Sequence, residues 1–159
     1  MRGRRVVEAM TSSELGMAER YQRARGLFEH GEYRAAAEEL SALVDASAYE
    51  PPLHGTTELR LLLARSYYHS AQLGRAERVT RAILVDDPDE AYANLLLGRT
   101  LQRQGRPAEA RPHLAMAELL GGYGDAGRLP PLVRDELPGD AGVEGDGEQG
   151  PSAGTGSGR

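Results

Sequence analysis

Residues 57–88 read TELRLLLARSYYHSAQLGRAERVTRAILVDDP, and residues 90–120 read EAYANLLLGRTLQRQGRPAEARPHLAMAELL. Shifted by 34 positions, the two stretches carry matching residues at matching places. Leu63 falls on Leu97, Ala64 on Gly98, Tyr67 on Leu101, Ala71 on Gly105 and Ala76 on Ala110. A more divergent copy lies upstream, where Ala24, Leu27, Gly31, Tyr33, Ala36 and Leu40 hold the same places 40 residues ahead of the middle copy. Six extra residues, within 46–55, account for the longer spacing. A fixed period of 34 with this pattern is the signature of a helix–turn–helix repeat.

Each copy resolves into two helices. In the first, Tyr21, Ala24, Leu27 and Phe28 recur at helical spacing over 17–30, Gly31 turns the chain, and Ala36, Leu40, Leu43 and Val44 mark a partner helix over 33–45. Pro51 and Pro52 forbid helix in the following loop. The second pair spans 56–70 and 73–85, and Pro88 with its neighbouring acids stops one helix and opens the next. The third spans 89–103 and 107–119. Pro112 falls inside its last helix, which predicts a kink or a frayed first turn and makes this pair the weakest. Ala64 and Ala76 are small where two backbones must approach closely.

Composition narrows the function. The chain has 159 residues and no cysteine, which excludes disulfides and thiolate metal sites. All 19 basic residues are arginine, as a GC-rich genome alone would produce. Residues 17–121 are nearly balanced, with 15 acids and 13 arginines, so the folded part lacks the basic excess of a nucleic-acid binder. Arg2, Arg4 and Arg5 are too few to change that. No apolar run is long enough for a membrane span, and the opening MRGRRVVEAMTSS has no stretch for a secretory signal, so the expected location is the cytoplasm. Met10 and Met17 stand as alternative starts. Residues 1–12 are expected to be disordered, with Ser13 capping the first helix. From residue 121 onward, 12 of 39 residues are glycine and acids outnumber arginines seven to three after 121, so 121–159 is expected to be a disordered acidic tail. The repeat domain is therefore 13–120, with copies at about 17–50, 57–90 and 91–120.

Chemistry-bearing motifs fail on context. Gly122 to Gly127 matches GxGxxG but follows a helix instead of a strand. His30, His54, His69 and His113 lack metal-ligand spacing, the DDPDE cluster lacks a calcium loop, and no serine sits in a nucleophile elbow. No catalytic residue, metal or cofactor is expected.

The landmarks Leu63, Ala64, Tyr67, Ala71, Ala76 and Pro88, and then Leu97, Gly98, Leu101, Gly105, Ala110 and Ala117, resemble those of the tetratricopeptide repeat. The likeness covers about 105 residues, and the chain looks like the small stand-alone repeat proteins of high-GC bacteria. The first copy departs from it, with Arg23 at a usually apolar place and no proline at its junction. The resemblance implies an all-α fold, a right-handed superhelical stack of three helix pairs, whose concave face is lined by the first helix of each pair. Such a face generally binds a peptide or partner protein and does not catalyse. The family's clamp for a chaperone's terminal carboxylate maps to Tyr21, Arg25, Leu62, Tyr92 and Leu96, where only Arg25 has a suitable chemistry.

Stacking brings equivalent positions into rows. One row is Arg25, Arg65 and Arg99, a second is Tyr21, Leu61 and Leu95, and a third is Phe28, Tyr68 and Gln102; His69 and Arg103 follow, and Tyr92 stands at the mouth of the last copy. Guanidinium forks beside aromatic side chains suit an acidic, partly apolar peptide. The alternative for the arginine row is solvation or pairing with acids of the adjacent helix, as of Arg65 with Glu29. The leading expectation is an interaction adaptor. The other is self-association through an uncapped last helix bearing Leu114, Met116, Leu119 and Leu120. Whether the acidic tail fills the groove stays open.

Overall fold

The computed structural model describes residues 4–48, 56–124 and 129–132, with side chains from residue 16 onward. Among the described residues the chain is all-α, with six helices and no strand: α1 Arg4–Glu29, α2 Tyr33–Ser47, α3 Thr56–His69, α4 Leu73–Asp86, α5 Ala91–Arg103 and α6 Pro107–Gly121. Each helix packs on its neighbour in sequence, and α3 also meets α5.

One turn recurs in all three pairs. Gly31, Ala71 and Gly105 adopt left-handed backbone, with φ of 81°, 61° and 75°. At each, two hydrogen bonds close the preceding helix. Glu32 N donates to Leu27 O and Gly31 N to Phe28 O, Gln72 N to Tyr67 O and Ala71 N to Tyr68 O, and Arg106 N to Leu101 O and Gly105 N to Gln102 O. This is the Schellman arrangement, which satisfies carbonyls that the helix end would leave orphaned. The repeat read from the sequence is thus a repeat of backbone geometry.

The paired helices cross at small residues. Ala24, Ala36, Ala64, Ala76 and Ala110 are fully buried. At Gly98 there is no room for a side chain, since a Cβ there would lie 2.5 Å from Leu114 Cδ2. Leu97, Leu101 and Ala110 form a core cluster, with Leu84 of α4 and Leu114 of α6 packed against it. Buried hydroxyls cost nothing unpaired here, because Ser66, Thr80 and Thr100 each donate to the carbonyl four residues back. Between the second and third pairs, Arg106 donates to Glu77 at 2.8 Å, and Arg81 and Glu109 complete a cluster of alternating charge.

Three expectations change. The helix expected to begin near residue 17 runs back to Arg4, so residues 4–12 are helical and Ser13 lies inside α1 instead of at its start. Residues 4–15 contain neither proline nor glycine and are rich in good helix formers. Second, the first turn of α6 does not fray: the helix runs from Pro107 to Gly121 with Pro112 inside it. The missing N–H would have served Ala108; both residues are exposed, so solvent reaches that carbonyl. Third, α6 extends to Gly121 and is closed by a left-handed Gly122. The expected disordered tail lies outside the described residues from 133 onward, and His54 and the loop prolines are outside them too.

Two substitutions separate turn strain from packing. Ala71→Gly should stabilise the fold by about 1 kcal/mol, because a non-glycine residue in the left-handed region carries a penalty of that size. Gly98→Val should destabilise by about 1–3 kcal/mol through overpacking against Leu114. Urea denaturation followed by helical circular dichroism checks both.

Candidate functional site

The contacts of Arg65, near the end of α3, assemble residues from α1, α3 and α5. Arg65 is only 9 % exposed, although it carries a charge. Its guanidinium carbon stands 4.8 Å from the centre of the Phe28 ring on α1 and 5.7 Å from that of Tyr92 on α5. Its Nε is buried with no hydrogen-bond partner, and no carboxylate pairs with it among the described residues. Burial lowers its pKa from the ordinary guanidinium value, while the nearby Tyr92 and Tyr33 phenols oppose that shift. The Phe28 and Tyr92 rings attract the charge through cation–π interaction without neutralising it.

Around it the aromatic residues form a connected patch. His69 stacks on Tyr33 with ring centres 4.7 Å apart, and meets Phe28 and Tyr68 edge-on at 5.6 and 5.4 Å. Arg103 on α5 lies 4.5 Å from the Tyr68 ring centre and donates to the Tyr68 carbonyl at 2.6 Å, tying α5 to the end of α3. Burial first, then Arg65 and Arg103, depresses the pKa of half-buried His69. Tyr92 is 3 % exposed, and burial pushes its phenol up to about 12 against the pull of Arg65.

The arginine row is not uniform. Arg25 reaches Glu29 on its own helix at 4.0 Å, and Arg99 donates to Gln102 at 3.0 Å; both are half-buried. Glu29 therefore pairs with Arg25, and Arg65 lacks the acid that the alternative reading assigned to it. The second row needs correction. Leu61 and Leu95 are fully buried and belong to the core; of that row only Tyr21 is partly exposed. The cause is position in the stack. α3 and α5 have neighbours on several sides, so Leu61–Tyr67 and Tyr92–Gly98 are buried without a break, whereas α1 has fewer neighbours. Phe28, Tyr68 and His69 are partly buried, and Arg103 and Gln102 are exposed.

Two participants lie outside the rows. Tyr33 opens α2, yet its ring reaches back to His69 and Phe28. Tyr123 follows α6 and packs edge-on against Tyr92 at 5.9 Å. The left-handed Gly122 turns the chain there, and Gly121 leaves room for the Tyr123 ring, which a Cβ would meet at 2.5 Å. The glycine pair after an amphipathic helix was the signal: it is a helix cap, not a phosphate loop.

No group of three or more metal-ligating side chains gathers among the described residues. His30 contacts the Gly26 carbonyl, and His113 contacts Asn94 at 3.1 Å. No described helix is long and apolar enough to cross a membrane. A cleft of about 460 Å³ between α2, α3 and α4 is lined by Arg34, Glu38, Asp45, Tyr67, Gln72 and Arg75, whose charges alternate and create no field of one sign. In comparisons with known proteins, no family model matches the chain and no curated protein matches it.

The depressed imidazoles set a pH dependence. Burial, then Arg81, also lowers His113. In both cases the unfolded chain binds protons more readily than the folded one, so their contribution to stability is present above the ordinary histidine pKa of about 6.5 and is lost as pH falls through the lower folded values. Stability should therefore decline from pH 7.5 to 5.5, and less so in His69→Gln. Urea midpoints at the two pH values check this, with imidazole NMR titration reporting the folded pKa directly.

Proposed function

We propose that this chain is a tetratricopeptide-type repeat that works in the cytoplasm as an adaptor, holding an acidic, partly apolar peptide segment on a concave face lined by α1, α3 and α5. The observation that carries the reading is Arg65, a buried cation with no anionic partner. An unpaired buried charge is expensive, and a well-packed apolar side chain of similar size would be more stable there. Its retention is accounted for by a carboxylate supplied from outside. Arg103 and Arg99 lie along the same helix as Tyr92 and add donors for neighbouring carboxylates. Phe28, Tyr68 and His69 offer partly exposed ring surface for apolar side chains between the acids. Aromatic residues with arginine are the composition of binding hot spots.

Retained cost for binding predicts an inverse pair of effects. Arg65→Met should leave stability unchanged or raised, because it fills the same space without a charge. The same variant should lose about 10–100-fold in affinity for acidic peptides, the worth of one charge-assisted hydrogen bond of about 1.5–3 kcal/mol. Titrating a peptide array of Asp/Glu-rich sequences with interspersed Leu or Phe, beside Lys-substituted controls, measures the affinity. Shifts of the Tyr68, His69 and Tyr92 ring resonances locate the peptide. Equal binding by Arg65→Met, or by the Lys controls, would remove the proposal.

A further inference from the structure

The junction between the second and third pairs shows how one pair docks on the next. Glu77 of α4 meets Arg106 at the start of α6, and Leu84 of α4 packs on the cluster containing Leu97. One copy further on, Glu77 becomes Arg111 and Leu84 becomes Glu118, both exposed on α6. In the first copy the receiving positions change as well. Arg106 becomes Glu32 and Leu97 becomes Arg23, both exposed at the α1 end. The remaining ionic contact, Arg81 with Glu109 at 3.9 Å, becomes Ala115 against Ala35, small and uncharged. The two ends of the stack thus carry opposite charges in matching register: Arg111 against Glu32, and Glu118 against Arg23. None of these four side chains is in an ion pair among the described residues. A face that served only as a solvent cap would need charge, but not charges opposite to those at the other end.

We propose that the α6 end of one copy docks onto the α1 end of a second copy, in the register that α4 uses toward α5 and α6, with Arg111 facing Glu32 and Glu118 facing Arg23 of the second copy. The surface is heterologous, so repetition gives an open head-to-tail chain of copies. A charged contact at Glu118 and Arg23 replaces the apolar packing of Leu84 on the Leu97 cluster, so the association is weak, electrostatically steered and screened by salt. It uses the ends of the stack and leaves the Arg65 patch untouched.

The test is sedimentation velocity on the full chain over a wide concentration range at low salt. Two double variants are compared: Arg111→Glu/Glu118→Arg, and Arg23→Glu/Glu32→Arg. The native chain should grow in size with concentration, beyond a dimer, and revert towards monomer as salt is added. Each double variant alone should stay monomeric where the native chain associates. Their equimolar mixture should associate again, because each variant's altered end then meets a matching one. Only a heterologous interface in this register gives that rescue. A native chain monomeric throughout, association that salt strengthens, or a mixture that stays monomeric would overturn the proposal. Circular dichroism confirms that the variants fold; should one lose helicity, the milder Glu118→Gln and Arg23→Gln replace it, each expected to weaken association.

Discussion

Close approach of paired helices is the constraint on which the rest depends. Two backbones can cross at the distance set by Ala24, Ala64 or Gly98 only if the chain reverses within about two residues, and the left-handed turn at Gly31, Ala71 and Gly105 provides that reversal. The same turn satisfies the last carbonyls of the first helix. The same pair of hydrogen bonds closes the turn in each copy, so the first helix of each pair ends in the same way. The rows of residues, the junction between pairs and the location of the site all descend from this local geometry.

Arg65 shows what such a scaffold permits. A guanidinium with little access to water would ordinarily demand a carboxylate. Here Phe28 from α1 and Tyr92 from α5 present their rings to it, and they can do so because α3 lies between those helices. The ring faces hold the cation without neutralising it. His69 beside it loses basicity first through burial and then through the nearby Arg65 and Arg103 charges. A chain with net charge −5 thus holds one buried arginine without a carboxylate partner among the described residues.

The period, the helix limits of the second pair and the turns at Gly31 and Gly105 were legible because they depend on contacts within one copy, where spacing and small residues speak directly. The arginine and aromatic residues were legible only as equivalent places of the repeat. Their exposure was not. Leu61 and Leu95 share a row with Tyr21, yet they are buried because the inner helices have neighbours that α1 lacks. Tyr33 and Tyr123 were missed for a related reason: each belongs to a turn or helix end whose direction follows from a left-handed residue before it. The start of α1 was misplaced because its first residues lack the apolar periodicity that marks the repeat, although nothing in them forbids helix.

The sequence by itself determined that this chain is a run of helix–turn–helix units, which residues must be small, where the chain turns, and that the folded part carries balanced charge. Those properties follow from steric and hydrogen-bonding rules acting over a few residues. Only the tertiary structure decided which arginine is buried, which acid pairs with which base, and which rings surround the cation. These depend on how many neighbours each helix has in the stack, a quantity that no window of sequence contains.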